Sequence, residues 1–419
     1  MLALITNLGL KSHKDKSEPN IDSFATIVEY DLPLSFENKL VEVPESQINS
    51  EQNVEELQQL INSHNINQKI YNFQKFGPVT NATLLITIQV HNRITNLKHL
   101  ISSFKEAWGI SKAMLIFSHD IYDASINQII QEIDFCMVMQ IFYPYSIQTH
   151  PNLFPGNDPH DCPRNASQEY AKSINCTNYE SPDVYKHYRE AKFTQMKHHW
   201  WWKLNRIFDQ LRATRKHEGI LLLIEEDYYL SKDFIHILRL LQMQIEQLCP
   251  TCNFISLGNY KSSPNMFNKN AIDVKMWTPN NYNMGMAFNR TTWNQIKKCT
   301  KYFCDYDDYN YDFSLENVNK NCLEDKLLTA IVVGSRVHHV GDCGVHHHKE
   351  KCNIDNIVKD LKEKLENSKR WLYPKALKIR KFSDIQEHKK LSLFGGWGDA
   401  RDRSLCRNMT LEYSEVFVK

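Results

Sequence analysis

The chain is polar and mixed in charge at its start and becomes strongly patterned only after residue 80. Residues 11 to 50 carry Ser, Asn, Glu and Lys with little periodicity, which reads as a tether. EQNVEELQQLINSHN, residues 51 to 65, has apolar positions near helical spacing and predicts a modest helix. From Asn81 the pattern changes. LLITIQV (Leu84 to Val90), AMLIFSHD (Ala113 to Asp120) and CMVMQIFY (Cys136 to Tyr143) are continuous apolar runs, as strands buried on both faces require. Between the first two lies NLKHLISSFKEAWG (Asn96 to Gly109), an amphipathic helix closed by glycine. Such alternation predicts a parallel α/β sheet. Residues 144 to 183 have no clear period, and a loop that long in a compact domain is usually functional. A long helix from about Tyr185 to Arg215 follows, then the stretch GILLLIEEDYYL (Gly219 to Leu230), whose apolar strand ends in Glu225, Glu226 and Asp227, then a helix from about Asp233 to Leu248.

Composition narrows the class. The hydrophobic and charged fractions, 42% and 24%, are those of a soluble globular protein, and 419 residues suffice for one large domain or two ordinary ones. A net charge of +1 gives no electrostatic case for nucleic acid. Of the 11 cysteines, Cys136 lies in an apolar run and reads as a free buried thiol, whereas the other ten fall in polar, loop-like segments. An even set in loops suggests disulfides and an oxidising compartment, with a cytosolic zinc protein as the rival. Sequons at Asn81, Asn165, Asn175, Asn289 and Asn408 point toward the secretory pathway. The opening MLALITNLGLKSHKDK is apolar for only about ten residues, short even for a signal segment.

Chemistry gathers at the strand ends. In open α/β sheets, ligands bind beyond the carboxyl ends of the strands. QVHNR (Gln89 to Arg93) follows the first strand, Asp120 ends the second, and Glu225, Glu226 and Asp227 end the fourth. Three adjacent carboxylates repel one another, so they belong either on a solvated turn or beside a cation. A hard divalent cation bridging to phosphate oxygens fits the second case. Neither G-x-G-x-x-G nor a P-loop is present. In KHHWWW, successive helical residues stand ~100° apart. Trp200, Trp201 and Trp202 therefore are not expected to share one core stripe, and at least one should reach a pocket wall or loop interface. HHVGDCGVHHHKEKC (His338 to Cys352) lacks paired zinc spacings, and the only C-x-x-C, Cys249 to Cys252, lies far away. One His joining a carboxylate suits manganese better. CDYDDYNYDFSL (Cys304 to Leu315) holds Asp305, Asp307, Asp308 and Asp312 without the glycine of a calcium loop; an aspartate there reads as a general base or as an Asp-rich helix start.

Taken together, QVHNR, IFSHD, FPGNDPHDCPR, HYREAKFTQMKHHWWWKL, LIEEDYYL, YDDYNYDFSL, GDCGVHH and GGWGDARD resemble the N-acetylglucosaminyltransferase II family, in order from about Asn81 to Cys406. The resemblance implies a GT-A glycosyltransferase fold, a mostly parallel twisted sheet with flanking helices and disulfide-stapled loops. Residues 1–80 would be a stem-like lead-in and 81–419 the catalytic domain, with a donor half over about 81–230 and an acceptor half over about 231–419. It implies UDP-N-acetylglucosamine as donor, Mn2+ as cofactor, and an N-glycan acceptor on glycoproteins, joined in β1,2 linkage at the α1,6-arm mannose with inversion. By motif, Gln89, Val90, His91, Asn92, Arg93 and Asp120 would hold uridine and ribose, and Gln195, Met196, Lys197, His198 and His199 would line the donor site. Asp227 and His339 would ligate the metal and Asp312 would be the base. The family pairing implies Cys162–Cys176, Cys249–Cys252, Cys299–Cys322, Cys304–Cys406 and Cys343–Cys352.

The resemblance also implies Golgi residence through an N-terminal membrane anchor that is not visible in this chain, and it is compatible with a homodimer. Two departures stand out. Pro264, with Lys261 nearby, falls where the family has a substrate-contacting Arg, and Tyr311 replaces a Trp before the base. The alternative on the same fold is a catalytically inactive glycan-binding protein, which would need a lost base or metal ligand. An unrelated metal-dependent hydrolase would need a second ligand set or an activated nucleophile, and the sequence shows neither.

Overall fold

Buried apolar runs become the centre of a large sheet. A computed structural model describes residues 54–260, 264–279, 281–341, 353–382 and 393–411. Among these residues twelve strands form: β1 (Ile70–Tyr71), β2 (Leu84–Val90), β3 (Ala113–His119), β4 (Met137–Phe142), β5 (Ile220–Glu225), β6 (Tyr228–Leu230), β7 (Cys252–Ser256), β8 (Ala271–Met276), β9 (Met286–Asn289), β10 (Leu328–Val332), β11 (Val337–His339) and β12 (Lys378–Phe382). Ten of them make one mixed sheet in the order β1-β4-β3-β2-β5-β9-β7-β10-β8-β12, and β11 and β6 make a separate ribbon. The block β4-β3-β2-β5 is all parallel. Val90, His119, Phe142 and Glu225 therefore end on one edge, which is the edge the strand-end argument required.

Alternate residues along each strand face opposite sides, so β2 feeds two cores. Leu84, Ile86, Ile88 and Val90 pack with Leu97, Phe104 and Phe234 on one face. On the other, Leu85 joins Met114, Trp200, Trp201 and Trp293. Burying such runs on both sides forces helices onto both faces. The mostly parallel sheet with flanking helices is the architecture expected, and all described residues fall within one compact unit. Four of the five implied disulfides form, Cys162–Cys176, Cys249–Cys252, Cys299–Cys322 and Cys304–Cys406, and Cys136 is free and buried. Cys343 and Cys352 lie outside the described residues, as do Lys261 and residues 1–53.

Several elements differ from the sequence expectation. The first described helix spans Val54–Asn67 and is not a detached lead-in: Leu57 and Ile61 pack on Tyr122 and Phe142, and Asn65 bonds both the N–H and the carbonyl of Phe142. β1 then pairs antiparallel with β4. The expected helix Tyr185 to Arg215 is only Ala191–Asn205, followed by one wide π turn at Arg206–Gln210. Its start is late because the Asp183 carboxylate accepts the backbone N–H groups of Tyr185 and His187 and holds that stretch as a loop. The strand that opens at Gly219 does end at the carboxylates: β5 stops at Glu225, and a turn at Glu226 and Asp227 leads into β6, which the sequence did not separate. All three tryptophans are buried, because the helix Ala191–Asn205 is covered on nearly every side rather than along one stripe.

No helix among the described residues is long and apolar enough to cross a membrane.

Candidate active site

The turn after β5 is what builds the crevice. β5 delivers Glu225 at the sheet edge, and the chain then reverses into β6, which pairs antiparallel with β11. Register places His339 opposite Tyr228, and the carbonyl of Asp227 accepts the N–H of Val340 at 2.9 Å. The His339 Nε2 consequently lies 3.3 Å from Asp227 Oδ2. Two residues more than a hundred positions apart, both implied by the resemblance as metal ligands, meet at the acidic strand end.

Asp227 is buried, and Arg93 Nη1 donates to its Oδ2 at 2.5 Å. Its other oxygen, Oδ1, is buried and has no hydrogen-bond partner among the described residues. Burial alone would raise this carboxyl, but the His339 imidazole and the Arg93 guanidinium hold it below the usual value. Glu226 behaves oppositely: burial pushes it up to about 7, although it accepts the His91 N–H at 2.8 Å. Glu225 is also raised by burial. The three carboxylates are thus separated by role. Asp227 stays ionised at the ribbon, Glu226 braces the loop after β2, and Glu225 is half-buried at the end of β5.

The loop after β2 and the end of β3 form the second wall. His91 Nδ1 lies 2.7 Å from Asp120 Oδ1, and Gln195 Nε2 donates to Asp120 Oδ2 at 2.9 Å. The bond to Asp120 raises His91; burial would raise Asp120, but His91 outweighs it and the carboxyl is lowered. His199 Nε2 lies 2.8 Å from Ser118 Oγ, and Lys203 Nζ donates to Gln89 Oε1 at 2.6 Å. Gln195, His199 and Lys203 follow i, i+4, i+8 and so share the helix face turned to the strand ends. Lys203 was not singled out from the sequence, although that spacing from Gln195 was legible. Burial pushes its ammonium down to about 7.

Other implied donor residues lie elsewhere. The Val90 side chain is in the core, and only its backbone reaches the edge, accepting the Asp120 N–H at 3.3 Å. Asn92 is exposed beside Arg93, and Met196 packs on the aromatic core. Lys197 and His198 are buried on the far side of their helix, bonded to the carbonyls of Tyr306 and Asp308 and to Asp402 respectively.

Asp312 is the second residue of the helix Tyr311–Asn321 and is buried. Tyr311 beside it stacks on Trp200 at 4.4 Å, so the aromatic that replaces the family's Trp still pins this helix start. Tyr260, which no sequence pattern singles out, stands with its ring centre 6.3 Å from that of His339. Its phenol is pushed up first by burial and then by the charges of Glu225, Asp227 and Asp312 together. A cleft of ≈ 550 Å³ lined by Asn92, Arg93, Gly341, Asn353 and Asp355, among others, opens beside Asp227. That volume is in the range of small-molecule sites.

The residues present fit a divalent cation. An ionised carboxylate with one unpartnered buried oxygen and an imidazole 3.3 Å from the other are the oxygen and nitrogen donors manganese accepts. A Cβ on Gly341 would fall 2.2 Å from Asp227 Oδ2, so the chain keeps that side of the carboxylate clear. Among the described residues no group of three or more His, Cys, Asp or Glu could hold a metal.

The sequence model of N-acetylglucosaminyltransferase II (MGAT2) matches residues 58–406. The alpha-1,6-mannosyl-glycoprotein 2-beta-N-acetylglucosaminyltransferase of Rattus norvegicus is 39% identical over 350 residues, 83% of this chain and 79% of its own. The enzyme of the same name from Homo sapiens is also 39% identical, over 83% and 78%. That of Arabidopsis thaliana is 32% identical over 347 residues, 82% and 78%. Among solved structures, S. aureus TarS 1-349 covers 67% of this chain and 71% of its own at 8% identity, with a TM-score of 0.32 that is too low to carry an argument.

Proposed function

This chain belongs to the N-acetylglucosaminyltransferase II family, and from that premise we propose how its crevice carries out the reaction. The activity is transfer of N-acetylglucosamine to the α1,6-linked mannose arm in N-glycan synthesis, from a nucleotide-sugar donor to a glycan acceptor. The donor is UDP-N-acetylglucosamine, bound by the half over about 81–230, and the acceptor sits against the half over about 231–419. Gln89, His91, Asn92, Arg93, Asp120, Gln195 and His199 line the nucleotide side, and Asp227 and His339 hold Mn2+. When bound, the ion would neutralise charge on the diphosphate leaving group.

The chain's own residues do the rest. Arg93 adds a fixed positive charge beside Asp227. The pairs His91–Asp120 and Gln195–Asp120 keep the wall after β2 and β3 rigid, so a ligand finds it preorganised. Asp312 takes the proton of the mannose 2-hydroxyl as that oxygen bonds to the anomeric carbon. The bond from that carbon to the phosphate oxygen breaks, and its electron pair leaves with UDP. One displacement with one base inverts the anomeric centre, following the geometric logic of inverting glycosidases.

The observation that carries this reading is the β6–β11 register, which sets His339 3.3 Å from the Asp227 carboxylate at the end of β5. The four disulfides support an oxidising compartment, and Golgi residence is proposed on that basis. The test is UDP release from UDP-N-acetylglucosamine with and without Mn2+. The acceptor is an N-glycan bearing N-acetylglucosamine on its α1,3 arm only, and Asp312→Asn runs beside wild type. Mn2+-dependent turnover that falls to a small residual rate in Asp312→Asn is the expected result. Tight UDP–Mn2+ binding without turnover would instead identify a glycan-binding protein on this fold.

A further inference from the structure

Lys197 is fully buried, and its ammonium serves neither the crevice nor solvent. The Nζ donates to the carbonyl of Tyr306 at 3.0 Å and to that of Asp308 at 3.0 Å. It also lies 4.1 Å from the centre of the Trp397 ring and 5.4 Å from that of Phe303. On the helix Ala191–Asn205 it stands about 200° around the axis from Gln195, away from the face that carries Gln195, His199 and Lys203. Three residues on, Trp200 shares its side and stacks on Tyr311.

The segment it grips is the one that presents Asp312. Beyond the carbonyl held by Lys197, the Asp308 carboxylate accepts the Asn310 N–H at 2.8 Å and the Phe394 N–H at 2.8 Å. Asn310 is the last residue before the helix that begins at Tyr311. Asp307 accepts the N–H groups of Val184 and Trp397, and Trp397 Nε1 donates to the Cys304 carbonyl at 2.7 Å. A single amino group buried at the centre of these bonds, its protonation disfavoured by burial, fixes two carbonyls two residues apart, and so fixes the direction in which the chain enters the helix. Hydrogen bonds in a desolvated site hold their partners more firmly than they would in water.

We propose that Lys197 is a positioning residue for the general base: by binding the carbonyls of Tyr306 and Asp308 it sets the backbone from which Asp312 reaches the acceptor hydroxyl. This rests on the reading of Asp312 as the base. It differs from the donor-site role that the family resemblance assigned to Lys197, and the two make opposite predictions.

The test is a double-mutant cycle of Lys197→Met and Asp312→Asn on the whole chain, with UDP–Mn2+ affinity measured by calorimetry beside kcat. Misplacing a catalytic group by an ångström lowers turnover by about 10²-fold. Lys197→Met is therefore expected to lower kcat by that order while leaving UDP affinity unchanged. In the Asp312→Asn background the same substitution should remove almost nothing further, since residues that act as a unit are not additive. UDP affinity falling in step with kcat would overturn the proposal in favour of a donor-site role. An equal fold-loss in both backgrounds would overturn it as well, because Lys197 would then act through something other than Asp312. Wild-type turnover in Asp312→Asn alone would sink the base reading and this proposal with it, and the single variant identifies that case. Lys197→Arg keeps the charge and shifts the reach; if Lys197→Met does not fold, the same cycle is read on Lys197→Arg, with the same outcomes deciding.

Discussion

Gly341 and Asp227 are packed so closely that a Cβ on the glycine would stand 2.2 Å from the carboxylate oxygen Oδ2 and 2.8 Å from Cγ. The contact follows from the β6–β11 ribbon, which brings the residues after His339 back over the end of β5. Gly341→Ala should therefore push the Asp227 carboxylate out of line with His339 while leaving both of the residues proposed to hold the metal unsubstituted. Disturbing the surroundings of a metal ligand typically lowers metal affinity by 10- to 100-fold. Titration of Mn2+ in the presence of UDP, followed by electron paramagnetic resonance of the free ion, should show a loss of about that size. Unchanged affinity would remove Asp227 from the ligand set.

Arg189 is the hub of a buried polar network. It pairs with Asp402 at 2.8 Å and with Asp161 at 2.8 Å, and also donates to the carbonyls of Pro155 and Gly156. His198 Nε2 lies 3.0 Å from the same Asp402. Arg189 and Asp402 are both fully buried, so removing one partner leaves an uncompensated charge, which destabilises by roughly 3–5 kcal/mol. Arg189→Met should lose stability of that order in urea unfolding and should loosen the loop over residues 144 to 183, read as faster amide exchange there. A change under about 1 kcal/mol would mean that solvent or His198 compensates Asp402.

The difference between what the chain pattern revealed and what it hid has a physical cause. Leu84 to Val90 was readable to the residue because a strand buried on both faces is apolar at nearly every position, and Glu225 to Asp227 announced a strand end by charge alone. Asp183, Asp307, Asp308 and Asp402 were opaque. Each accepts backbone or side-chain donors from segments far along the chain, and no local pattern encodes which distant N–H will arrive. The same holds for the helix expected to begin near Tyr185. Its first residues have adequate spacing, yet the Asp183 carboxylate takes their N–H groups and that of Gly396. The three tryptophans misled for a related reason: a rule about one buried stripe fails on a helix enclosed by the sheet and by the helices Tyr311–Asn321 and Ala400–Leu411.

Two buried imidazoles make stability depend on pH. Burial pushes His119 and His199 each down to about 3; Asp120 opposes this, and His64, His91 and Lys203 add to it. In the unfolded chain a histidine titrates near 6.5. Below that value the unfolded state binds protons that the folded state refuses, so stability is full above about 6.5 and falls as pH drops toward 3. Each group contributes about 1.4 kcal/mol per pH unit in that window. Urea unfolding at pH 7.5 and 5.0 should differ by on the order of 4 kcal/mol from these two groups. His199→Gln should flatten the slope, and an identical slope in that variant would show that His199 is not held neutral.

The Cys304–Cys406 disulfide and Lys197 grip the same stretch of chain by different means, and their removal should separate stability from turnover. The bridge spans 102 residues and joins the start of the segment that leads to Asp312, the proposed base, to the helix Ala400–Leu411. Closing a loop of that length restricts the unfolded chain by about 4.7 kcal/mol on the entropy model, and deleting such bridges usually costs 2–5 kcal/mol. Once the chain is folded, however, the segment is still held by Lys197 on the Tyr306 and Asp308 carbonyls, by Trp397 on the Cys304 carbonyl, and by Phe394 on the Asp308 carboxylate. Cys304→Ala with Cys406→Ala should accordingly lower the unfolding midpoint strongly and leave kcat nearly unchanged at temperatures where the protein is folded. Lys197→Met should do the reverse in proportion, with the larger effect on kcat. If the disulfide pair of substitutions abolished turnover in fully folded protein, the covalent link rather than the buried Lys197 amino group would be what sets the position of Asp312.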